Sequence, residues 1–374
     1  MTTPILQFGT SRFLQAHAAL FLSEALARGD ALGPVAVVQT TANPESAARI
    51  AALASGGGYP VRIRGRLKGA IVDTQQTCTA IRAAYQAQRD WPDLCRLMGG
   101  EVQVILSNTG DAGYRLDPSD GPSLLAPGTE APRSFPAKLL VLLHRRWQAG
   151  AAPISLFPCE LISRNGDQLK KIVRDLAAEW GLPAAFQDYL TSGCRWANSL
   201  VDRIVSEPIQ PVGAVAEPYA LWAIERQDGL TLPCTHPAIE LVDDLGQLER
   251  LKLHLLNLGH TYLAEGWLRQ GRRADETVYQ AMSHPTISAD LDGLWRDEVL
   301  PVFAAAGEGD LAAAYCAQVR DRFLNPFLDH RLADIAQNHR DKKQRRLAPI
   351  VAQAEAHGLA LPQPRLRAAL NTLA

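Results

Sequence analysis

No apolar run in this chain approaches the ~20 residues that a bilayer-spanning helix needs, and its opening residues form a strand-like run without a charged n-region or cleavage site. The expected compartment is therefore the cytosol, with no membrane partner. An excess of charge of either sign is also lacking. Thirty-eight basic residues balance 39 acidic ones to a net charge of −1, and no basic stripe is interleaved with aromatics, which argues against a nucleic-acid partner. Cysteine is sparse and scattered: Cys78, Cys95, Cys159, Cys194, Cys234 and Cys316 include no C-x-x-C pair, and His236 beside Cys234 does not complete a zinc set. Reduced thiols and no metal are expected. What is present, 374 residues with 47% hydrophobic and 21% charged content, suffices for two domains with sizeable cores.

The first half alternates strand and helix patterns. Ile5 to Phe8, Pro34 to Gln39, Val102 to Leu106 and Pro153 to Leu156 read as buried strands. Helical spacing runs from Phe13 to Ala27, Pro44 to Leu53 and Gly166 to Trp180. Such βαβα alternation predicts a Rossmann-type parallel sheet. From about Leu248 the pattern is helical only, through Leu251 to Leu268, Leu291 to Ala305, Leu311 to Phe323 and Leu328 to Gln337. The fold class is thus α/β, a dinucleotide-binding domain over 1–245 followed by an all-α substrate and catalytic domain over 246–374. Leu116 to Pro136 and Pro208 to Pro218 read as long surface connections, and the basic run Arg340 to Arg346 as a solvated helix face.

Within LKLHLLNLGH, the polar residues Lys252, Asn257 and His260 stand among leucines. At about 100° per residue they fall at roughly 0°, 140° and 80° around a helix, so their heads can share one wedge. Burial makes a lysine a better general base, and an amide with an imidazole would hold one oxygen beside it. Spacing alone favours a duller helix, with a snorkelling lysine and a histidine and asparagine satisfied locally.

Gly9 ends the first strand and opens a helix, where backbone N–H groups can receive a pyrophosphate. The loop runs Gly9, Thr10, Ser11, Arg12, Phe13, with serine where the second fingerprint glycine usually stands. Alone it could equally be a plain strand-to-helix turn. The second strand ends at Gln39 and Thr40 without a ribose-binding carboxylate before Glu45, and Arg49 could meet a 2′-phosphate. Ser107, Asn108 and Thr109 follow the third strand at its carboxyl end, where ligands bind in open sheets, although they also suit an Asx turn.

Several blocks in order, ILQFGTSRFLQAH, VILSNTGDAG, FPCELISRNGDQL, NSLVDRIVSEP, AVAEPYALWAIE, LKLHLLNLGH and RFLNPFLDHRLADIAQN, span nearly the whole chain. Together they resemble the polyol-specific long-chain dehydrogenases, the family of mannitol dehydrogenase, mannonate oxidoreductase and tagaturonate reductase. PCELISRNG is most similar to tagaturonate reductase, although this chain is shorter. The resemblance implies a zinc-independent oxidoreductase with Lys252 as base and Asn257 and His260 as oxygen-holding groups. It puts Ser107 to Thr109 beside the cofactor's ribose and nicotinamide. It also implies NAD as cofactor, with NADP not excluded. Substrate roles carry over to Asp202, Glu160, Asn165, Arg322 and Lys342, and a supporting role to Arg203. Leu161 and Asp334 stand where mannitol enzymes have an asparagine and a substrate-contacting arginine, which weakens any transfer of their specificity. The similarity of PCELI and RFLNPFLDH implies a sugar acid such as tagaturonate or fructuronate, whereas AVAEPYALWAIE is more similar to mannitol and mannonate enzymes. A polyol or phosphorylated polyol is the alternative substrate. A degenerate nucleotide-binding sensor without turnover, or a structural protein with no ligand, are the alternatives outside enzymes. No oligomeric state is indicated.

Overall fold

A computed structural model describes residues 2–41, 47–110 and 113–372. The chain divides into two compact units. The first comprises Met1–Ile63, Thr74–Ala216 and Ala220–Leu245, and the second Arg64–Asp73, Glu217–Tyr219 and Gly246–Ala374.

The first unit is built on six parallel strands: β1 (Ile5–Phe8), β2 (Val35–Gln39), β5 (Ile81–Gln86), β6 (Val104–Ser107), β7 (Ile154–Pro158) and β8 (Cys194–Trp196), in the order β5-β2-β1-β6-β7-β8. β1, β2, β6 and β7 are buried on both faces, which is why they read as unbroken apolar runs. The chain leaves β1 toward β2 and β5, then returns to lay β6 on the other side of β1, so the strand order reverses between β1 and β6. Leu6, Phe8, Ile105 and Leu156 pack one face of this sheet against the helix Phe135–Gln148 and its neighbours. The helix expected from Phe13 to Ala27 breaks at His17, whose backbone leaves helical geometry, into Arg12–Ala16 and Ala18–Arg28. The apolar spacing runs through the break without a mark. Part of the expected helix from Pro44 lies outside the described residues, which carry it over Ala47–Ala54.

Two smaller sheets had no strong signature. β3 (Tyr59–Leu67) and β4 (Ala70–Cys78) form a hairpin closed by Lys68 and Gly69, both at positive φ. β9 (Ser199–Asp202), β10 (Val205–Pro208), β11 (Ala214–Ala216), β12 (Leu221–Glu225) and β13 (Ile239–Val242) complete the orders β10-β11-β3-β4 and β13-β12-β9. The stretch from Pro208 to Pro218 is therefore more than a surface connection, because β11 lies within it and pairs with β3.

Helices make up the bulk of the second unit. Gly246–Leu251, a π-helical turn Lys252–Asn257 and Leu258–Gln270 follow one another directly. A second π turn, Trp295–Val299, joins Pro285–Leu294 to Leu300–Ala305, and Gly309–Phe323 follows as expected. Leu255, Leu258, Trp295 and Phe323 lie in its core. The stretch from Leu328 to Gln337 keeps only one helical turn, Leu332–Ile335. Among the described residues, no helix is long and apolar enough to cross a membrane.

Candidate cofactor and catalytic sites

In the first unit the predicted cofactor residues gather at the carboxyl ends of β1, β2 and β6, at the strand-order reversal where ligands bind in such sheets. Gly9 has φ +114°, and a Cβ there would stand 2.5 Å from the Asn108 carbonyl oxygen. Only glycine lets the loops after β1 and β6 come this close. Ser11 caps the short helix by accepting from the Leu14 N–H at 3.3 Å, which leaves its own proton to donate to an anion. Thr10 is buried, Arg12 exposed and Phe13 half-buried. Gln39, buried at the end of β2, donates to the Thr41 carbonyl at 2.7 Å, and Thr40 beside it is half-buried. This set of neutral donors with one exposed arginine suits a dinucleotide.

The loop is fixed from below. Gln15 Nε2 donates to the Thr10 carbonyl, Tyr59 OH to the Gln15 carbonyl and Arg203 Nη1 to the Ala16 carbonyl at 2.6 Å. His17 Nε2 donates to the Leu221 carbonyl at 2.9 Å, and its ring stacks on Phe13 with centroids 4.7 Å apart. Among the described residues, its Nδ1 is buried without a hydrogen-bond partner. Burial pushes the His17 pKa down to about 3, with Arg203 adding to the effect. The unfolded chain therefore binds this proton first as pH falls. We expect the folded state to lose stability from about pH 6.5 down toward pH 3, by about 1.4 kcal/mol per pH unit for this residue. His17→Gln should remove about one proton from the slope of unfolding free energy against pH. Equal slopes in variant and parent would refute the assignment.

The expected substrate contacts of the first unit are differently placed. Glu160 is buried and accepts from Ser107 Oγ, the Thr109 backbone N–H, Thr109 Oγ1 and Tyr114 OH, at 3.0, 3.0, 3.0 and 3.2 Å. Its carboxylate thereby ties together the loop after β6. Asn108 Nδ2 donates to the Cys159 carbonyl at 2.7 Å, which holds the same loop from its other side. Asn165 is wholly internal. Its amide nitrogen faces the carbonyls of Pro158, Glu160 and Ser199, and its oxygen accepts from the N–H groups of Gly166 and Ser199. Nothing remains of it for a ligand. Asp202 is buried at the end of β9, opposite Leu221, and contributes negative potential at His17.

In the second unit the π turn changes the arithmetic of the polar helix. With i→i+5 bonding, residues five apart take the place that residues four apart hold in an α-helix, one turn apart on one face. Lys252 and Asn257 are five apart, so the turn aligns them better than α geometry would. Lys252 and Asn257 are half-buried, whereas the leucine-rich segment suggested a buried lysine; His260 is buried. A Cβ at Gly259 would meet Trp295 Cζ2 at 2.7 Å and Phe323 Cε2 at 3.0 Å, so this glycine lets both rings lie against the helix. Phe323 in turn stacks on His260 at 4.3 Å, and His330 meets the same imidazole edge-on at 4.7 Å.

Burial, then His330, Arg322, Arg346 and Lys342, hold the His260 pKa well below its ordinary value. The imidazole is therefore neutral and can donate one N–H and accept at its other nitrogen. Lys342, whose Nζ donates to the Ile335 carbonyl at 2.8 Å, is itself shifted down by burial and by Arg346. Arg322 is committed elsewhere than expected. Its Nη2 and Nε form a buried bidentate pair with Glu217, at 2.8 and 3.1 Å, and its guanidinium lies over Tyr219 at 4.4 Å. It acts on its surroundings as a fixed, compensated charge. The basic run is not simply solvated, because Lys343 is buried against Glu265 at 3.1 Å. Glu217, His330, Tyr114 and Arg346 went unassigned in the sequence. A lone glutamate before Pro218 in an apolar block was the available signal for the first of them.

Residues 3–233 match the mannitol dehydrogenase Rossmann domain and residues 244–369 the mannitol dehydrogenase C-terminal domain. An altronate oxidoreductase of Bacillus subtilis is 31% identical over 379 residues, covering 95% of this chain and 76% of its own length. One from Klebsiella pneumoniae is 33% identical over 345 residues, covering 85% and 68%. Among solved structures, substrate-free D-sorbitol dehydrogenase superposes with a TM-score of 0.84 at 20% identity, covering 99% of this chain and 80% of that one. The Pseudomonas fluorescens mannitol 2-dehydrogenase ternary complex with NAD and D-mannitol gives 0.72 at 18% identity, covering 99% and 78%. At those identities the two structures share the fold. Matching both domains and running at about one-third identity along nearly all of its length, the chain belongs to the mannitol dehydrogenase family.

Proposed function

We propose that this dehydrogenase of CH–OH groups interconverts a secondary alcohol and a ketone on an open-chain sugar acid, of the altronate and tagaturonate type, with NAD as cofactor. What supports the reading is the π turn that carries Lys252 and Asn257, followed by the buried, neutral His260, with Lys342 among the cations that act on its imidazole. An acidic substrate fits that potential. The altronate oxidoreductase likeness supports the same substrate class.

A bound nicotinamide supplies hydride acceptance in one direction and donation in the other. Gly9, Thr10, Ser11, Arg12 and Phe13 would hold the pyrophosphate, Gln39 and Thr40 the adenosine ribose, and Ser107 to Thr109 the nicotinamide half. Lys252 takes the proton of the carbinol hydroxyl as the C–H bond breaks, and returns it to the oxygen in reduction. Asn257 Nδ2 and the His260 N–H donate to that oxygen and stabilise the charge it develops. Because burial holds its pKa low, His260 orients the oxygen without competing for the proton.

The test is oxidation of NADH and NADPH, followed at the reduced-nicotinamide absorbance, against tagaturonate, fructuronate, fructose and fructose phosphates. NADH-dependent reduction of a uronate is the expected result. Turnover of fructose or its phosphates alone would replace the sugar acid with a polyol. A silent panel, with either cofactor still raising Tm, would favour a sensor without turnover.

A further inference from the structure

Two of the π turn's carbonyls, those of Leu255 and Asn257, accept from side chains. Trp295 Nε1 donates to the Leu255 carbonyl at 3.3 Å. The Asn257 carbonyl accepts from Thr261 Oγ1 at 2.9 Å and from Arg346 Nη1 at 3.4 Å, and the same Nη1 donates to Thr261 Oγ1 at 3.0 Å. The geometry is consistent in donors, since the single Thr261 proton goes to Asn257 while its lone pair receives Arg346. In return, His254, within the turn, donates from Nδ1 to the Arg346 carbonyl at 2.9 Å. Arg346 thus grips the turn twice, with its side chain at the end and with its backbone in the middle.

Arg346 lies at the end of a helix, His339–Arg346, that is itself immobilised. Lys343 Nζ donates to Glu265 Oε2, the Ala369 carbonyl and the Thr372 carbonyl, and His339 Nε2 donates to the same Glu265 oxygen at 2.8 Å. Isolated π turns compete poorly with α geometry, so a turn of this kind persists where outside partners favour it. Relaxation to α geometry would turn Lys252 away from Asn257, toward the separation of roughly 140° that a regular helix gives residues five apart.

We propose that Arg346 is a positioning residue: by holding the Asn257 carbonyl and, through its own carbonyl, His254, it keeps segment 252–257 in π geometry and so keeps Lys252 and Asn257 on one face. The inference rests on the reading of Lys252 as the proton acceptor.

Two variants test it, Arg346→Ala and Arg346→Lys, beside the parent protein and Lys252→Ala. In Arg346→Ala we expect kcat to fall by about 100-fold, the size of loss that a small misplacement of a reacting group produces. Substrate KM and cofactor Kd should stay within about twofold, because neither touches this guanidinium. Added guanidinium ion should restore part of the lost rate, and Arg346→Lys, which keeps the charge but not the fork, should be intermediate. Backbone amides of residues 252–261 should exchange faster in Arg346→Ala, with the rest of the chain unchanged. A raised KM at unchanged kcat would overturn the proposal and make Arg346 a substrate contact. Unchanged kcat per folded molecule would reduce it to a brace. If the parent protein turned over no substrate, the functional reading would fail, and unchanged exchange at 252–261 would then refute the grip independently.

Discussion

Lys252→Ala should lower kcat by roughly 10²- to 10⁴-fold, the range that a positioned general base contributes, while NAD affinity measured by fluorescence titration stays as in the parent protein. The reason is the absence of a metal-like helper in the proposed chemistry: hydride leaves the carbinol carbon only as the hydroxyl loses its proton, and the lysine is the proposed taker. Lys252→Arg should be almost as inactive, because a guanidinium is protonated at any working pH and takes no proton. Lys252 sits where the π turn begins, so the alanine variant also asks whether the turn matters without its lysine. Retention of most of the turnover in Lys252→Ala would remove the residue from the mechanism and leave His260 as the group to test.

The second large effect is on stability. Arg322 and Glu217 are almost entirely shielded from solvent, at 2% and 1% side-chain exposure, and meet through two parallel hydrogen bonds. Removing one partner leaves a buried charge without its counter-ion, which costs about 3–5 kcal/mol. Arg322→Met and Glu217→Leu should each lower the urea midpoint strongly. Their combination should recover most of the loss, since a buried pair replaced by apolar groups of similar volume is often close to neutral. Unfolding of the two single variants and the double variant checks this as a cycle. Simple additivity of the two losses, or losses below about 1 kcal/mol as for an exposed pair, would show that the pair does not hold its surroundings as the geometry implies. The double variant also separates stability from chemistry, because it restores packing but not the positive charge near His260.

What the amino-acid order makes plain and what it hides follow from the kind of burial involved. β1, β2, β6 and β7 are covered on both faces, so the sequence offers continuous apolar runs and the Rossmann-type sheet is legible. β3 alternates Val61 and Ile63 inward with Arg62 and Arg64 between them, a period-two signal obscured by the number of arginines. The break at His17 left no trace because leucine and alanine spacing continues across it. The π turn was illegible for a deeper reason: its partners Trp295 and Arg346 lie 40 and 89 residues away from Leu255 and Asn257. Likewise, the block resemblance drew attention to Glu160 and Asn165 without separating a ligand contact from an internal support. Their internal hydrogen bonds, which join residues 34 to 53 positions apart, appear only in the fold.

The helical unit draws Arg64–Asp73 and Glu217–Tyr219 from the middle of the chain, and this sets a schedule for its birth on the ribosome. Glu217 leaves the exit tunnel 105 residues before Arg322 does. At about 5–20 residues per second, its carboxylate waits roughly 5–20 s for its counter-ion. Asp321, the partner of Arg66, arrives only one residue before Arg322. During that interval the Rossmann-type unit has all of its own segments from the moment Leu245 emerges, whereas two pieces of the other unit, Arg64–Asp73 and Glu217–Tyr219, have nothing yet to join. A nascent chain stalled short of Arg322 therefore carries a glutamate whose burial would be penalised rather than rewarded.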